Sequence, residues 1–471
     1  MDKESIATNF STSEKREECG IVAIYAKKGK DVAPYLYRAL TALQHRGQDA
    51  CGITVFNDKK FITKKGLGLV GEFFKEEDLK MPGSIGIGHV RYPTSGDIRE
   101  VDVQPFVHKK IAIAHNGHIA NYEPIKKELE DKGHKFKTSV DSEIFAFLIE
   151  EKLNEGLENA LKSMMEKVDG AYSNVAIIDG KILAFRDPHA IRPLVYGENE
   201  DFICVASESC ALDINRIAYA GDIEGGELVT IQEGKINRTP INKLAAYHCM
   251  FEYVYFSRPD SILNSKSVFE ARGKLGETLA KEHPVNAEVV IPIPDTARTA
   301  AEAYSRVSKI PMREGLIKNR YIGRTFIMPS QNKREDAVRM KLNPIKEVIN
   351  GKRVVLIDDS IVRGTTLKEI VALVKSAGAI EVHLRITCPP IKAPCFYGVN
   401  MKTYKELIAS NKTVEEIRQF IGADSLGYIS IEGLKKAIGL SVCTGCLNED
   451  YKTPFAKKLA EEKKDEDAAC G

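Results

Sequence analysis

The sequence predicts two domains, a layered α/β or α+β domain followed by a doubly wound domain with a parallel sheet. The chain has 471 residues, more than one typical domain holds. Its composition, 43% apolar and 28% charged, is that of an ordinary globular protein. The first half contains many short apolar strands and a few helices, whereas the second half alternates strand and helix at regular intervals.

Short apolar runs bounded by Gly, Asn and Asp predict the strands of the first half. Helical stretches at Val32–Gln44 and Glu143–Glu155 lie between these runs, and we expect the domain to end near residue 245. The predicted strands are Ile21–Tyr25, Gly52–Phe56, Ile85–Val90, Ile111–His115, Asn174–Ile178, Ile182–Phe185 and Phe202–Ala206.

The second half, residues 246–440, reads as alternating strands and helices, with a C-terminal segment at 441–471. Such alternation is typical of a parallel sheet with crossover helices. Between two of these units lies a long basic segment without an apolar period, and a loop of that length is usually functional. The predicted strands are Val289–Ile293, Arg353–Ile357 and Glu381–Ile386, the helices are Thr299–Ser308 and Leu367–Ala377, and the basic segment is Lys318–Pro344.

Charge and hydropathy exclude several classes of protein. The formal net charge of +2 gives no bulk attraction to nucleic acid or to acidic membranes, so we expect neither as a partner. No window is apolar enough for a membrane helix, and the leader Met1–Glu18 lacks the apolar core of a secretory signal. We therefore expect a cytoplasmic protein, in which ten cysteines indicate chemistry or metal binding rather than disulfides.

The most specific local motif runs from Val354 to Thr366. A buried strand leads into Asp358 and Asp359, and a short loop then delivers Arg363–Thr366 to the start of a helix. Backbone N–H groups at a helix N-terminus suit a phosphate, and Gly364 lets the backbone approach closely. Paired carboxylates can hold ribose hydroxyls or a metal ion. The alternative is a plain Asp-Asp-Ser turn with Thr365 or Thr366 as a helix cap.

This motif resembles the signature of the type I phosphoribosyltransferases. The resemblance implies phosphoribosyl pyrophosphate with Mg²⁺ as substrate, with Asp358 and Asp359 on the ribose hydroxyls and the metal. It places Arg363, Gly364, Thr365 and Thr366 at the 5′-phosphate. Thr296, after an earlier strand, matches a loop that holds pyrophosphate and metal, although Ala297 replaces the usual glycine.

The basic segment then has an expected role. Arg320, Arg324 and Lys341 are cations that could close over the pyrophosphate leaving group as its charge develops. The alternative is a solvated surface loop.

Cys19 lies where the acidic leader ends and the first apolar strand begins. If the bond before it is cut, one residue carries a thiol nucleophile and an α-amine with a pKa near about 8 that can act as its base. The motif Cys19–Ala23 is followed in order by Leu43–Asp49, Gly88–Thr94, Ala114–Ile119 and Ser139–Glu143. Any one of these four could be turn chemistry, since Asn-Gly is a common turn signal.

Taken together, the five motifs resemble the class II glutamine amidotransferases, whose N-terminal-nucleophile fold is an αββα sandwich. The resemblance makes Cys19 the nucleophile that attacks the glutamine amide. It assigns the oxyanion hole to the Asn116 side chain and the Gly117 amide. Arg91 would pair with the α-carboxylate of glutamine, and Asp141 with its α-ammonium group.

Four cysteines form a further candidate site: Cys249, Cys395 and the Cys443–Cys446 pair. Spacing alone leaves zinc, an iron–sulfur cluster and redox chemistry open. Resemblance to the propeptide-bearing, Bacillus-type branch of the amidotransferases that act on phosphoribosyl pyrophosphate implies a structural [4Fe–4S] cluster on these four. The same branch carries a cleaved leader, consistent with residues 1–18, and we expect the other cysteines to be small core residues or, for Cys470, a tail residue.

Both halves together imply one reaction. Phosphoribosyl pyrophosphate, glutamine and water give 5-phosphoribosylamine, glutamate and pyrophosphate, the first committed step of purine synthesis, with ammonia passing internally between the sites. The resemblance also implies inhibition by purine nucleotides and a homotetramer. Three alternatives explain less of the chain: another class II amidotransferase, a regulator that binds phosphoribosyl pyrophosphate, and a redox or zinc protein built around Cys443 and Cys446.

Overall fold

The computed structural model describes residues 19–92, 99–319 and 342–469, so the predicted leader lies outside it. The described chain forms two compact units. The first unit comprises residues 19–271, 393–404 and 438–469, and the second comprises 272–392 and 405–437. Within the described residues, no helix is both long and apolar enough to cross a membrane.

Short antiparallel strands dominate the first unit. They are β1 Gly20–Ala26, β2 Ala50–Asn57, β3 Lys60–Leu67, β4 Ile85–Arg91, β5 Phe106–His108, β6 Ile111–Ile119, β7 Gly170–Ile178, β8 Lys181–Arg186, β9 Val195–Glu198, β10 Phe202–Ala206, β11 Ala218–Asp222, β12 Glu227–Gln232, β13 Lys235–Pro240, β14 His248–Cys249, β15 Ile262–Leu263 and β16 Lys266–Ser267. One sheet has the order β11-β9-β10-β1-β4-β2-β3, and the other has the order β13-β12-β8-β7-β6-β5.

Helices cover the outer faces of the two sheets. The second sheet shares a core with residues of the helices between β6 and β7, and α1 contacts β1 and β4 of the first sheet. The helices are α1 Ala33–Ala42, α2 Val70–Phe73, α3 Tyr122–Asp131, α4 Ser142–Lys152, α5 Leu157–Lys167 and α6 Cys210–Asp213.

Alternation along β6 shows how the layers form. Ala112 and Ala114 pack between the two sheets, whereas Ile113 points into the core shared with helix residues such as Phe145. Successive side chains of a strand point to opposite faces, so one strand serves two cores. The αββα sandwich expected from the resemblance is confirmed.

The second unit is built on a four-stranded parallel sheet with the order β17-β20-β21-β22, confirming the predicted α/β fold. The strands are β17 Val289–Pro292, β18 Leu316–Lys318, β19 Leu342–Pro344, β20 Arg353–Asp358, β21 Glu381–Ile386 and β22 Ser425–Tyr428. The helices are α7 Val268–Glu282, which carries the chain from the first unit into the second, α8 Arg298–Ser308, α9 Lys346–Ile349, α10 Thr365–Ser376, α11 Ile408–Asn411, α12 Val414–Ile421 and α13 Ile431–Ile438.

The predicted basic loop begins and ends on a pair of strands. β18 and β19 are antiparallel neighbours, with Ile317 opposite Asn343. Residues 320–341 lie outside the described chain, and their role as a lid stays a prediction.

The C-terminal segment belongs to the first unit. Its elements are β23 Val442–Cys443, α14 Gly445–Asn448 and α15 Pro454–Ala469. β23 forms a two-stranded parallel sheet with β14.

Candidate active sites

Cys19 lies at the start of β1, beside the end of β4. Gly20 is opposite Val90, so in this antiparallel register Cys19 comes next to Arg91. Two hydrogen bonds fix the backbone: Arg46 Nε donates to the Cys19 carbonyl at 3.0 Å, and the Ile21 amide donates to Ser207 Oγ at 3.0 Å. The residue that carries the candidate nucleophile is therefore held in place while remaining partly exposed.

Asn116 and Gly117 lie in β6, which packs against β1 and β4. Asn116 is 1% exposed, and its Nδ2 has no hydrogen-bond partner within the described residues. Buried donors are nearly always paired, so an unpaired one needs an explanation. Gly117 has φ +145°, and a Cβ there would lie 2.0 Å from the Ala171 carbonyl oxygen, so only glycine fits. The pair has the donor chemistry of an oxyanion hole.

Arg91 and Asp141 belong to the same unit. Arg91 is buried at the end of β4 and donates from Nη1 to the Asp102 carbonyl. Asp141 precedes α4, accepts the Ile119 amide at 3.1 Å, and lies 3.4 Å from His115 Nδ1. Burial disfavours its charge, but His115, His118 and the Ile119 amide outweigh burial and lower the pKa of Asp141 to about 2. Asp141 is therefore a permanent anion at neutral pH.

Sequence reasoning missed a buried ion network behind Cys19. Arg46 Nη1 contacts Glu208 at 2.6 Å, and Arg46 Nη2 contacts Glu252 at 2.7 Å, with all three side chains almost fully buried. Arg46 belongs to a motif that the sequence singled out, but neither glutamate has a local signal.

His89 is a second buried group to which the sequence assigned no role. It lies in β4 opposite Ile21, and neither ring nitrogen has a hydrogen-bond partner within the described chain. Burial, with Arg91 and His115 nearby, lowers the pKa of His89 well below its usual value, so the ring is neutral at pH 7.

The second candidate site lies at the carboxyl end of the parallel sheet. Asp358 ends β20 and accepts the Asp359 amide at 2.9 Å, while Asp359 accepts Ser360 Oγ at 2.9 Å and Thr296 Oγ1 at 2.7 Å. Thr387, just after β21, donates its amide to the Asp358 carbonyl at 3.0 Å. Three strand ends thus bring hydroxyl and carboxylate oxygens together, as ligand sites of such sheets do. Hard oxygen donors of this kind fit Mg²⁺.

The loop after Asp359 ends at helix α10. Gly364 has φ +75°, a conformation that favours glycine, and Thr365 and Thr366 are the first residues of the helix. The N–H groups of a first helical turn suit a phosphate. Arg363 pairs with Glu406 at 2.6 Å. Of the other predicted cations, Arg320, Arg324 and Lys341 lie outside the described residues.

The four candidate cluster cysteines all belong to the first unit. Cys249 lies directly opposite Cys443 in the sheet of β14 and β23. The Cys446 carbonyl accepts the Ala393 amide at 3.0 Å, two residues before Cys395, and Cys395 Sγ accepts the Tyr397 amide at 3.4 Å. Three separate chain segments therefore bring these cysteines to one region.

The chemistry of these thiols bears on metal binding. Burial raises the pKa of Cys443 to about 12, so a thiolate there requires a bound cation. Within the described residues, no group of three or more His, Cys, Asp or Glu is arranged around a single metal ion. In a [4Fe–4S] cluster each cysteine binds a different iron, so the four sulfurs need not converge on one point. A cluster on these four cysteines therefore stays a prediction.

The remaining described cysteines are buried. Cys51, Cys204 and Cys388 are fully buried, and Cys210 is 3% exposed. Their burial agrees with the expected role as small core residues.

Comparisons with known proteins cover nearly the whole chain. A glutamine amidotransferase domain matches residues 89–213, and a phosphoribosyl transferase domain matches residues 260–420. The amidophosphoribosyltransferase of Methanothermobacter thermautotrophicus is 48% identical, over 95% of this chain and 97% of the relative. That of Bacillus subtilis is 44% identical, over 93% of this chain and 94% of the relative.

Solved structures show the same similarity. The glutamine phosphoribosylpyrophosphate amidotransferase of Bacillus subtilis, complexed with ADP and GMP, superposes with a TM-score of 0.86 at 41% identity. The match covers 93% of this chain and 98% of that one. A structure described as the allosteric regulatory enzyme of purine biosynthesis superposes with a TM-score of 0.88 at 41% identity, over 94% of this chain and 99% of that one.

Proposed function

Because the chain belongs to the amidophosphoribosyltransferase family, we propose that it makes 5-phosphoribosylamine from phosphoribosyl pyrophosphate with ammonia taken from glutamine. The single observation that carries the proposal is that both family domains occur in one chain, at residues 89–213 and 260–420. The products besides the amine are glutamate and pyrophosphate. This reaction is the first committed step of purine synthesis.

In the first unit, the proposed nucleophile is the Cys19 thiol and its base is the α-amine of the same residue, once the leader is removed. The amine takes the thiol proton, and sulfur attacks the side-chain carbonyl of glutamine. Arg91 is proposed to hold the α-carboxylate through its guanidinium fork. Asp141, ionised by its surroundings, is proposed to hold the α-ammonium group.

The tetrahedral intermediate carries an oxyanion that needs donors. We propose that Asn116 Nδ2 and the Gly117 amide supply them, a role supported by the unpaired, buried state of that Nδ2. Collapse of the intermediate releases ammonia and leaves a thioester, which water cleaves to glutamate.

In the second unit, Asp358 and Asp359 are proposed to hold the ribose hydroxyls, with the amides of residues 364–366 at the 5′-phosphate. Thr296 Oγ1 donates a hydrogen bond to Asp359 at 2.7 Å. Both side chains would therefore lie beside the pyrophosphate and the metal ion. Mg²⁺, when bound with the substrate, would neutralise charge on the leaving pyrophosphate. Ammonia is proposed to pass internally to the ribose C1, since in bulk water it would mostly protonate.

Two variants test the division of labour. Cys19→Ser is expected to abolish glutamine-dependent synthesis while ammonium salts still support product formation. Asp358→Asn is expected to reduce both glutamine-dependent and ammonia-dependent synthesis, while glutamine hydrolysis alone persists. Each variant is the control for the other. Equal loss of all three activities in either variant would contradict the proposal.

We also propose that Cys249, Cys395, Cys443 and Cys446 bind a [4Fe–4S] cluster. Such a cluster would link these chain segments through bonds between sulfur and iron. Anaerobically purified protein is expected to contain about four iron and about four sulfide per chain. Cys446→Ser should lose them, and Cys388→Ser, a buried cysteine of the second unit, should retain them. Stoichiometric zinc without iron would refute the cluster.

We further propose that the leader before Cys19 is removed and that the protein is a homotetramer. We also propose a cytoplasmic location, where thiols stay reduced. Purine nucleotides are proposed inhibitors, because the Bacillus subtilis neighbour was complexed with ADP and GMP. Intact mass under anaerobic, non-denaturing conditions would report leader, cluster and assembly together. A chain that retains residues 1–18 yet hydrolyses glutamine would contradict the proposed role of the Cys19 amine.

A further inference from the structure

The guanidinium group of Arg46 is engaged on every side. Its Nε donates to the Cys19 carbonyl at 3.0 Å, its Nη1 donates to Glu208 at 2.6 Å and Glu252 at 2.9 Å, and its Nη2 donates to Glu252 at 2.7 Å. The Arg46 and Glu208 side chains have no solvent exposure, and that of Glu252 has 3%. The carbonyl of the candidate nucleophile is therefore hydrogen-bonded to a guanidinium group that two buried carboxylates hold in place.

Glu252 is the branch point of this network. It accepts Ser257 Oγ at 2.6 Å, and its Oε1 lies 3.8 Å from Nη1 of Arg192, which is also buried. Arg192 Nε in turn donates to the Tyr397 carbonyl at 2.8 Å. The Tyr397 amide donates to Cys395 Sγ at 3.4 Å.

These contacts form a continuous path inside the first unit, from the Cys395 segment to the Cys19 carbonyl. Two guanidinium groups face two carboxylates along it, and the partly exposed His45 ring lies 2.7 Å from Glu208. Buried ion networks are weak evidence for stability, because desolvation offsets much of the attraction. Their better-attested role is to select one arrangement among several.

Such selection matters at Cys19, because its amine and its thiol branch from the same Cα. Their directions depend on how the rest of the residue is held, and the carbonyl is held by Arg46. A reacting atom displaced by about 1 Å can lose about 10²-fold in rate.

We propose that Glu252 is a positioning residue for Cys19: through Arg46 it orients the amine and thiol, and through Arg192 it ties them to the Cys395–Tyr397 segment. The inference rests on the proposed glutaminase chemistry. It adds a residue that touches neither glutamine nor the reacting atoms.

The test is Glu252→Gln, which keeps the shape and removes the charge. Glutamine hydrolysis is expected to fall about 10- to 100-fold in kcat, with KM for glutamine within about 3-fold, because misorientation affects the chemical step. Ammonia-dependent synthesis should stay near the wild-type rate.

A second readout separates positioning from general damage. The rate of Cys19 alkylation by iodoacetamide is measured between pH 6 and pH 10, with Cys19→Ser as the background. In Glu252→Gln the midpoint should move towards about 8.5, the value of an ordinary cysteine, because the amine no longer faces the thiol. The iron content of each preparation is measured alongside.

Glu227→Gln is the matched control. Glu227 forms a two-pronged ion pair with Arg238 in the same unit, at 2.7 Å for both contacts. Glu227→Gln should leave the kcat of glutamine hydrolysis and the midpoint of Cys19 alkylation unchanged. If Glu252→Gln does not fold, Glu252→Asp keeps the charge with a shorter reach and should show the same changes to a smaller extent.

The outcomes distinguish the inference from the proposed function. Wild-type protein that hydrolyses no glutamine would overturn the proposed function. Active wild-type protein with unchanged kcat and alkylation midpoint in the Glu252 variants would overturn the positioning role alone. Loss of iron in step with kcat, or an equal effect of Glu227→Gln, would also overturn it.

Discussion

Asn116→Leu tests whether the unpaired amide of Asn116 serves catalysis. Leucine has nearly the same shape as asparagine but no donor. Asn116 is 1% exposed and its Nδ2 is unpaired within the described chain, so the resting protein bears the cost of that buried donor. An unsatisfied buried polar group costs about 1–3 kcal/mol. The variant should therefore be at least as stable as the wild type, with a gain of about 1 kcal/mol and a rise in Tm of about 2 °C.

Activity should change in the opposite direction. Loss of one oxyanion-hole donor typically lowers kcat about 10²- to 10³-fold, or about 2.7–4 kcal/mol of transition-state stabilisation. We expect that loss for glutamine hydrolysis and no loss for ammonia-dependent synthesis. The assays are glutamate release, ammonia-dependent product formation and thermal unfolding on the same preparation.

Asn121→Leu is the opposite control. Both ends of the Asn121 amide are hydrogen-bonded, since it donates to the Lys167 carbonyl at 2.9 Å and accepts the Asp169 amide at 2.9 Å. Its replacement should lower stability and leave glutamine hydrolysis unchanged. A fall in stability of more than about 2 kcal/mol for Asn116→Leu, or a kcat within about 3-fold of the wild type, would refute the reasoning.

Three further predictions concern single residues. Gly117→Ala places a Cβ 2.0 Å from the Ala171 carbonyl oxygen at φ +145°. The free energy of unfolding, measured with denaturant, should therefore fall by about 1–3 kcal/mol. An unchanged unfolding midpoint would contradict this expectation. Asp141 has a pKa of about 2, below the ordinary value of about 3.9. Its contribution to the free energy of unfolding is therefore present above about pH 4 and lost as the pH falls towards about 2. Asp141→Asn should reduce the loss of stability between about pH 4 and about pH 2. An unchanged dependence of stability on pH would show that Asp141 is not its cause. Thr296→Val removes the 2.7 Å bond to Asp359 and should raise KM for phosphoribosyl pyrophosphate about 5- to 10-fold, whereas Thr296→Ser should not; equal values in both would exclude the hydroxyl as the cause.

Strands with an unbroken apolar run could be predicted to the residue. Phe202–Ala206 is an example, and it is wholly buried. Glu381–Ile386 was also predicted to the residue, although Glu381, His383 and Arg385 alternate with its apolar residues. β3, Lys60–Leu67, was missed because it is an edge strand with exposed lysines, which has no apolar run to detect. Edge strands commonly carry lysine, which discourages pairing with other chains.

The Asn116-Gly117 pair shows where local signals fail. Asn-Gly is a frequent turn signal, yet β6 continues through both residues to Ile119. Their neighbours in β7 are Ser173 and Tyr172, and this long-range pairing outweighs the local preference. The positive φ of Gly117, which would suit a turn, instead serves close approach of two strands.

The network behind Cys19 could not be predicted from one sequence. Glu208 and Glu252 lie 162 and 206 residues from Arg46 along the chain. Nothing in the sequence around either glutamate identifies its partner. Only the fold brings the three together.

The four candidate cluster cysteines gain a more definite place from the fold. Three of them follow the predicted strands of the phosphoribosyl half in sequence. All four, however, belong to the compact unit that contains Cys19, because residues 393–404 and 438–469 return to it. Cys395 also begins the path through Arg192 to Glu252 and Arg46. Disturbance at these cysteines is therefore expected to reach glutamine hydrolysis through contacts within one unit, before any effect on phosphoribosyl transfer.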